Sequence, residues 1–529
     1  MNTGKPTELG DVLAQLTHNI ASYDRYQESL RDEETVHVAN VANVLLFAYE
    51  QLRNASENIE DHLLFQRAIL RFYTRNLSFT RRRETAGLGE ELIIELTQAE
   101  YLKNDTIPVS LVAQLDELIS DYYKAFWAAR ERTPAISVAR GEKWILEVLS
   151  VKSEQLFNNP IRIISFAHFA HAHFSRLIDY DQVLVQGETT EADYPNLLYI
   201  GIHRALLRSD DANIRSGLLD LYGIKPSQIV HFIEFNQKFD ALLSLHSTTL
   251  MTRFINKNGA PLRVVRQAFF ESTDQAGLDI HREASILNLV DSQIDETYQE
   301  VRKSVNNGVI KSIMFLLITK ALIGLLVEIP YDTVVTGAIV IMPLVINLLF
   351  PPVFLAITAL TFKLPGQANK TALGAYIKGM LFEGAAARTP TLKYNESVGN
   401  TAAFNFVYVL VFIGAFYGVA NGLTALDFNI PQAIIFFIFL STASFLGYRL
   451  TLQIKELELV NTNQGFIALL RDFVYAPFIF VGKKISYRFG QLNIIAQILD
   501  VVIDLPLKTI VRLVRQWMVF LNNKKDELL

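Results

Sequence analysis

The chain has 529 residues, half of them hydrophobic, and 49 basic against 54 acidic side chains, too long for one compact core. It has no cysteine, which excludes disulfides, thiolate metal sites and cysteine nucleophiles. The formal charge of -5 hides a division: residues 1–300 carry 29 basic and 42 acidic side chains, residues 301–529 carry 20 and 12. An acidic, solvated part ahead of a basic, apolar part is the pattern of a membrane protein with a cytoplasmic head, and it disfavours nucleic acid as a partner.

The first residues lack a basic stretch leading into an apolar core, so no cleaved signal peptide is expected. Residues 1–281 read as one acidic cytoplasmic domain, helix after helix. Leu63, Leu64, Ala68, Ile69, Phe72 and Tyr73 recur at three- and four-residue spacing, which puts them on one helical face. Val38, Val41, Val44, Leu45 and Ala48 do the same, and similar patterns run through 90–102, 110–130, 139–157, 161–178, 194–207 and 227–254. Pro108, Pro134, Pro160, Pro226 and Pro261 punctuate them.

Two clusters in this part carry a chemical reading. His168 and His171 are one helical turn apart and form a weak metal candidate; His173 lies about 140° round the helix from His168, and no carboxylate completes a set. Partly buried structural imidazoles are the expectation, with no metal and no cofactor. Arg81-Arg82-Arg83 reads as a solvated loop, or as a contact for lipid phosphate or an acidic partner. No phosphate-binding loop, zinc-protease helix or nucleophile elbow occurs, so no catalytic residue is assigned.

Residues 282–308 form a charged helical stalk, with Gly308 as its joint to a four-span transmembrane domain over 309–452. The spans are expected at 309–327, 334–362, 402–421 and 432–450, since a hydrocarbon core of ~30 Å needs about 20 apolar residues. Lys320 falls near the middle of the first. It either snorkels to the interface or forms a buried pair with Glu328, Asp332 or Glu383. Residues 328–332 read as a short acidic turn. The second run is long and carries Pro343, Asn347, Pro351 and Pro352, so a break that lines a cavity is one outcome and a plain kink the other.

The loop 363–401 is basic and the two short connections contain no basic residue, which places the loop and both termini in the cytoplasm. Residues 372–388 suit a helix lying on the membrane surface. Gly414, Gly418 and Gly422 share one face of the third span, a packing face for which Ser441, Ser444 and Gly447 are the expected counterparts, with a ligand role the alternative; a homo-oligomer is among the expected partners. The basic tail, 453–529, is amphipathic. Lys483, Lys484, Arg488, Lys508, Arg512, Arg515 and Trp517 suit anionic lipid headgroups, or the tail packs back on protein. The final Lys525-Asp526-Glu527-Leu528-Leu529 has one Leu beyond a retrieval signal and is not read as one.

The run Ile318-Thr319-Lys320 through Glu328, Pro330, Tyr331 and Asp332, with Asp504-Leu505-Pro506-Leu507-Lys508 and the Trp517 helix, resembles a group of uncharacterised multi-pass bacterial membrane proteins. The resemblance covers roughly the C-terminal 230 residues. It implies a bacterial cytoplasmic membrane and brings no activity with it. The expected architecture is therefore all-α: a multi-helix cytoplasmic domain, a four-helix transmembrane region and an amphipathic helical tail. The expected role is non-catalytic anchoring of the head for assembly or for recruitment of a cytoplasmic protein partner. The alternative is a transporter or channel component using Lys320, Glu328, Asn347 and the proline-broken span, with a lipid-acting enzyme third.

Overall fold

The computed structural model describes residues 5–29, 33–38, 61–77, 84–132, 138–178, 189–271, 282–337, 340–383, 401–459 and 475–486, together with Trp517. Among them the architecture is all-α, without a strand; two isolated β-bridges join Pro6 to Phe382 and Thr35 to Pro108. The chain divides into two compact units, Val12–Ile255 with Asn493–Leu529, and Met1–Asp11 with Asn256–Leu492. The N-terminal stretch belongs with the apolar unit because Thr7 binds the carbonyls of Met380 and Leu381, at 2.6 and 2.9 Å.

The first unit is built from α1 (Glu8–Ser29), α2 (Leu64–Asn76), α3 (Leu88–Gln98), α4 (Val109–Arg132), α5 (Val138–Phe157), α6 (Ile161–Phe174), α7 (Tyr194–Ile202), α8 (Asp211–Leu221), α9 (Ile229–Ser244) and α10 (His246–Asn258). The periodic faces became its core. Ile69, Phe72 and Tyr73 of α2, Leu92 and Leu96 of α3, Leu115 and Ile119 of α4, and Trp144, Val148 and Leu149 of α5 form one buried cluster. The expected helix 227–254 is two helices, broken at Leu245, which adopts extended backbone. Of the expected helix at Val38–Ala48 only Val38 is described, outside any helix and paired with the Asn104 side chain; the rest of it and the Arg81-Arg82-Arg83 run lie outside the described residues.

Arg215 of α8 is the buried centre of this unit, 2% exposed. Its guanidinium donates to Asn236 Oδ1 at 2.6 Å and to Asp240 Oδ1 at 2.7 Å, and its Nε lies 3.5 Å from Glu147 Oε2. The cation sits 4.6 Å from the centre of the Phe239 ring. Burial pushes the Glu147 carboxyl up, and the charge of Arg215 works against that rise.

Four helices are long and apolar enough to cross a membrane: Glu283–Val335, Ile341–Leu360, Phe406–Ala425 and Ile430–Lys455. They mark the chain as a membrane protein. All lie in the second unit, which contains α11 (Ala260–Arg266), α12 (Glu283–Ile323), α13 (Ile341–Leu360), α14 (Gln367–Leu381), α15 (Thr401–Ala425) and α16 (Ile430–Lys455), with a further helix, α17, over 475–486. Helices α12, α13 and α16 pack against one another in a three-helix bundle around Leu316, Leu355, Phe439 and Ala443.

Several expectations are corrected here. The stalk and first span are one uninterrupted helix, and Gly308 is a packing position instead of a joint. A Cβ there would come within 2.5 Å of Leu450 Cδ2, so a side chain at 308 would require Leu450 of α16 to shift. The acidic turn at 328–332 is helical: α12 runs on through a π-turn at Gly324–Glu328, a short α segment at Ile329–Tyr331 and a second π-turn at Asp332–Thr336. Chain reversal waits for Gly337, at φ 72° in the left-handed region. The second span is accordingly 20 residues, Ile341–Leu360, and needs no excess tilt. Pro343 falls in its first turn, where no intrahelical donor is lost, and Pro351-Pro352 lie inside the helix.

Helix α14 is held on protein by polar contacts. Its buried Asn369 donates to Tyr298 Oη and to the carbonyl of Leu457, and accepts from Leu459 N–H at 2.7 Å. Lys370 reaches Asp295 at 2.8 Å and Lys378 reaches Glu283 at 2.8 Å. The glycine face also differs from expectation. No described heavy atom lies within 4 Å of a Cβ placed at Gly414, Gly418 or Gly422. Gly447 instead faces Leu355 and Thr358 of α13. The close helix contact belongs to Gly482 of α17, where a Cβ would overlap the Ser441 carbonyl. With it, Phe478 packs on Phe416 at 4.8 Å between ring centres. This first part of the tail is therefore bundle structure, although Lys483 and Lys484 are exposed. Trp517 is exposed as well, while Arg488, Lys508, Arg512 and Arg515 lie outside the described residues.

Candidate functional site

The chemistry of the second unit gathers where α12, α13 and α16 meet. In a regular α-helix, residues 320 and 328 are about 80° apart around the axis, at ~3.6 residues per turn. The π-turn adds one residue to the turn between them and brings the separation to about 20°. Its signature bond is from Ile329 N–H to Gly324 O, five residues back. Pro330 follows without an N–H to give, so the wider turn absorbs the donor that an α-helix would miss. Lys320 and Glu328 thereby share one face.

Their side chains form an ion pair of 2.5 Å from Nζ to Oε1, and each is 1% exposed. Lys320 also lies 5.0 Å from the centre of the Phe439 ring. Of the two readings for Lys320, the structure has the buried pair, and the partner is Glu328; Glu383 pairs with Lys5 instead. Asn347 of α13 donates to the same Glu328 Oε1 and to the backbone carbonyl of Gln432, each at 3.1 Å. Asn347 is wholly buried.

One turn beyond Glu328, the buried Asp332 accepts from Gln432 Nε2 at 2.9 Å and from Asn429 Nδ2 at 2.8 Å. Asn429 and Gln432 are themselves the reciprocal cap of α16: Gln432 N–H donates to Asn429 Oδ1 and Asn429 N–H to Gln432 Oε1. One cap thus closes a helix start and ties it to the end of α12. Gln432 and Asn429 were not singled out in the sequence, although Asn429-Ile430-Pro431-Gln432 has the spacing of a capping box with Pro just inside the helix.

Two oxygens of this cluster, Glu328 Oε2 and Asn347 Oδ1, are buried with no hydrogen-bond donor. The ion pair lies within α12, and Asn347, Gln432 and Asn429 tie it and Asp332 to α13 and α16; at low dielectric, removing one member of the pair would strand the other's charge. A chemistry of proton or cation binding is open to it. The expected metal candidates lie elsewhere and apart: on α6, His168 is exposed, His171 half-buried and His173 buried against Phe174. Among the described residues no group of three or more His, Asp or Glu side chains could hold a metal. Burial holds His173 down at about 4 and His203 at about 3, so both are neutral core groups. Compared with family models, curated proteins and solved structures, the chain finds no match.

Proposed function

We propose that the protein is a multi-pass protein of the bacterial cytoplasmic membrane, with both termini inside, which holds a large helical unit at the cytoplasmic face for assembly or partner recruitment and not for catalysis. The division of the chain carries this reading. One unit contains all four helices fit to cross lipid, with Ile318, Leu326, Ile357 and Tyr417 turned outward. The other has an ordinary aromatic and aliphatic core. Lys363, Lys370 and Lys378 follow the second span, whereas 337–340 and 426–429 contain no basic residue, the asymmetry of an inner loop against outer turns. The exposed Lys483, Lys484 and Trp517 suit contact with anionic headgroups.

The absence of cysteine gives a clean test. Single variants Asp427→Cys and Lys363→Cys, both at exposed positions, are treated with a membrane-impermeant maleimide on sealed right-side-out vesicles. The first should label directly and the second only after permeabilisation. Labelling of both from one side would overturn the topology.

The buried Lys320–Glu328 pair favours a second reading, a transport component. In proteoliposomes, ion permeation that disappears when Lys320→Met and Glu328→Leu are combined would establish it. Permeation equal to that of empty vesicles supports the anchor.

A further inference from the structure

Both amide hydrogens of Asn347 are used, one towards Glu328 Oε1 and one towards the Gln432 carbonyl. That fixes which end of the amide is nitrogen and leaves Oδ1 as an acceptor. Glu328 Oε1 serves two donors, Lys320 and Asn347, while Oε2 serves none. The side chains are thus joined by one N–H···O bond, and each has a second, buried oxygen with no hydrogen to share. Two acceptors cannot satisfy each other, and a buried polar atom without a partner costs about 1–3 kcal/mol.

A single added hydrogen on Oε2 removes both deficits. A carboxylic acid and a primary amide pair through two bonds, N–H···O and O–H···O, and the first of these is in place. We propose that Glu328 is a proton-binding site within the span bundle, with Asn347 Oδ1 accepting the hydrogen bond of the protonated carboxyl and Lys320 left as the buried cation whose counter-charge the added proton neutralises. The step is the transfer of one proton from hydronium in the aqueous phase to the carboxylate; a hydronium O–H bond breaks, the Oε2–H bond forms, water is left, and the site gains one unit of positive charge. Oε1 then holds the ammonium less strongly, since its share of negative charge is gone. The result is a proton-sensitive lock at the π-turn of α12.

The groups facing the site are few. Lys320 and Asp332 come from its own helix, Asn347 from α13, and Asn429, Gln432 and the Phe439 ring from α16. Helix α13 has no charged residue, and Arg449, Lys455, Lys483 and Lys484 are exposed.

The inference rests on the bundle lying in lipid, which the cysteine labelling tests separately. Its own test is the infrared spectrum of the full-length protein in lipid nanodiscs, titrated over the pH range in which helix content is constant. A protonated-carboxyl band should grow as pH falls. It should be absent in Glu328→Gln, retained in Asp332→Asn, and moved to higher frequency in Asn347→Leu, where the amide partner is gone. Should Glu328→Gln not fold, carboxyl-¹³C glutamate in the wild-type protein separates Glu from Asp by the isotope shift. No acid band at any pH, or a band that Glu328→Gln leaves untouched, would overturn the proposal. Either result would mean that a fixed ion pair, its spare oxygens served by water, is all that the site contains.

Discussion

Among the described residues each unit has one deeply buried cation, Arg215 and Lys320, and the two are treated differently. Arg215 lies among several partners, of which Asp240 is 43% exposed on its side chain and Glu147 17%. Lys320 has one carboxylate, and both members of that pair are 1% exposed. The difference is access to water. If Arg215 is lost, Asp240 can return to solvent; if Lys320 is lost, Glu328 cannot. Burial of a charge is therefore tolerated in the helical unit by leaving one counter-ion, Asp240, partly in water, and in the bundle by an exclusive pair.

The largest expected effect follows directly. Lys320→Met should lose about 3–5 kcal/mol in reversible unfolding of the detergent-solubilised protein, because it strands a carboxylate among apolar helices. Arg215→Met should lose less, about 1–3 kcal/mol, since its main counter-ion is half in water. Equal losses would remove the distinction between the units.

A smaller effect is confined to the helical unit. His173 and His203 are held neutral at about 4 and about 3, against 6.5 for a free imidazole. As pH falls below 6.5 the unfolded chain takes up protons first, so stability should decline with acidification until the folded values are reached, by up to about 1.4 kcal/mol per pH unit for each histidine. His203→Gln should flatten that slope, whatever the lost stacking on Tyr199 costs at pH 8, measured by thermal unfolding across the pH series. An unchanged slope would argue against a buried neutral His203.

The smallest contrast separates two glycines. Gly482→Leu forces a side chain into the Ser441 carbonyl and should lower both yield and stability. Gly418→Leu meets no described atom and should change unfolding by less than about 0.5 kcal/mol. A large loss at Gly418 would show that this face is covered, most simply by a second copy of the chain.

Much of this was legible beforehand. Ile69, Phe72 and Tyr73 announced a helical core face by their spacing, and the four spans announced themselves by length and hydropathy. Lys320 stood out because a charge at mid-span demands an explanation, and Asn347 because it lies between prolines. What could not be read was the continuation of α12. Glu328, Pro330 and Asp332 have the composition of a turn, and a π-turn leaves no periodic trace in the sequence, since it is one residue displaced among apolar neighbours. That displacement decides which face Glu328 occupies. The break at Leu245 was hidden for a similar reason, because no Gly or Pro marks it. The glycine face was legible as a pattern, but four-residue spacing says which residues align and nothing about what they meet, and within this chain no described heavy atom lies within 4 Å of a Cβ placed there.

The claim on which the rest depends is that Glu328 is inside the bundle and spends itself on Lys320. A double-mutant cycle in the detergent-solubilised full-length protein tests it most directly, with Lys320→Met, Glu328→Leu and the two combined. Each single change should lose at least about 3 kcal/mol, and the combined variant should come within about 1 kcal/mol of wild type, because the stranded charge is gone. A combined loss equal to the sum of the two single losses would contradict the pairing and return Glu328 to a solvent-facing turn.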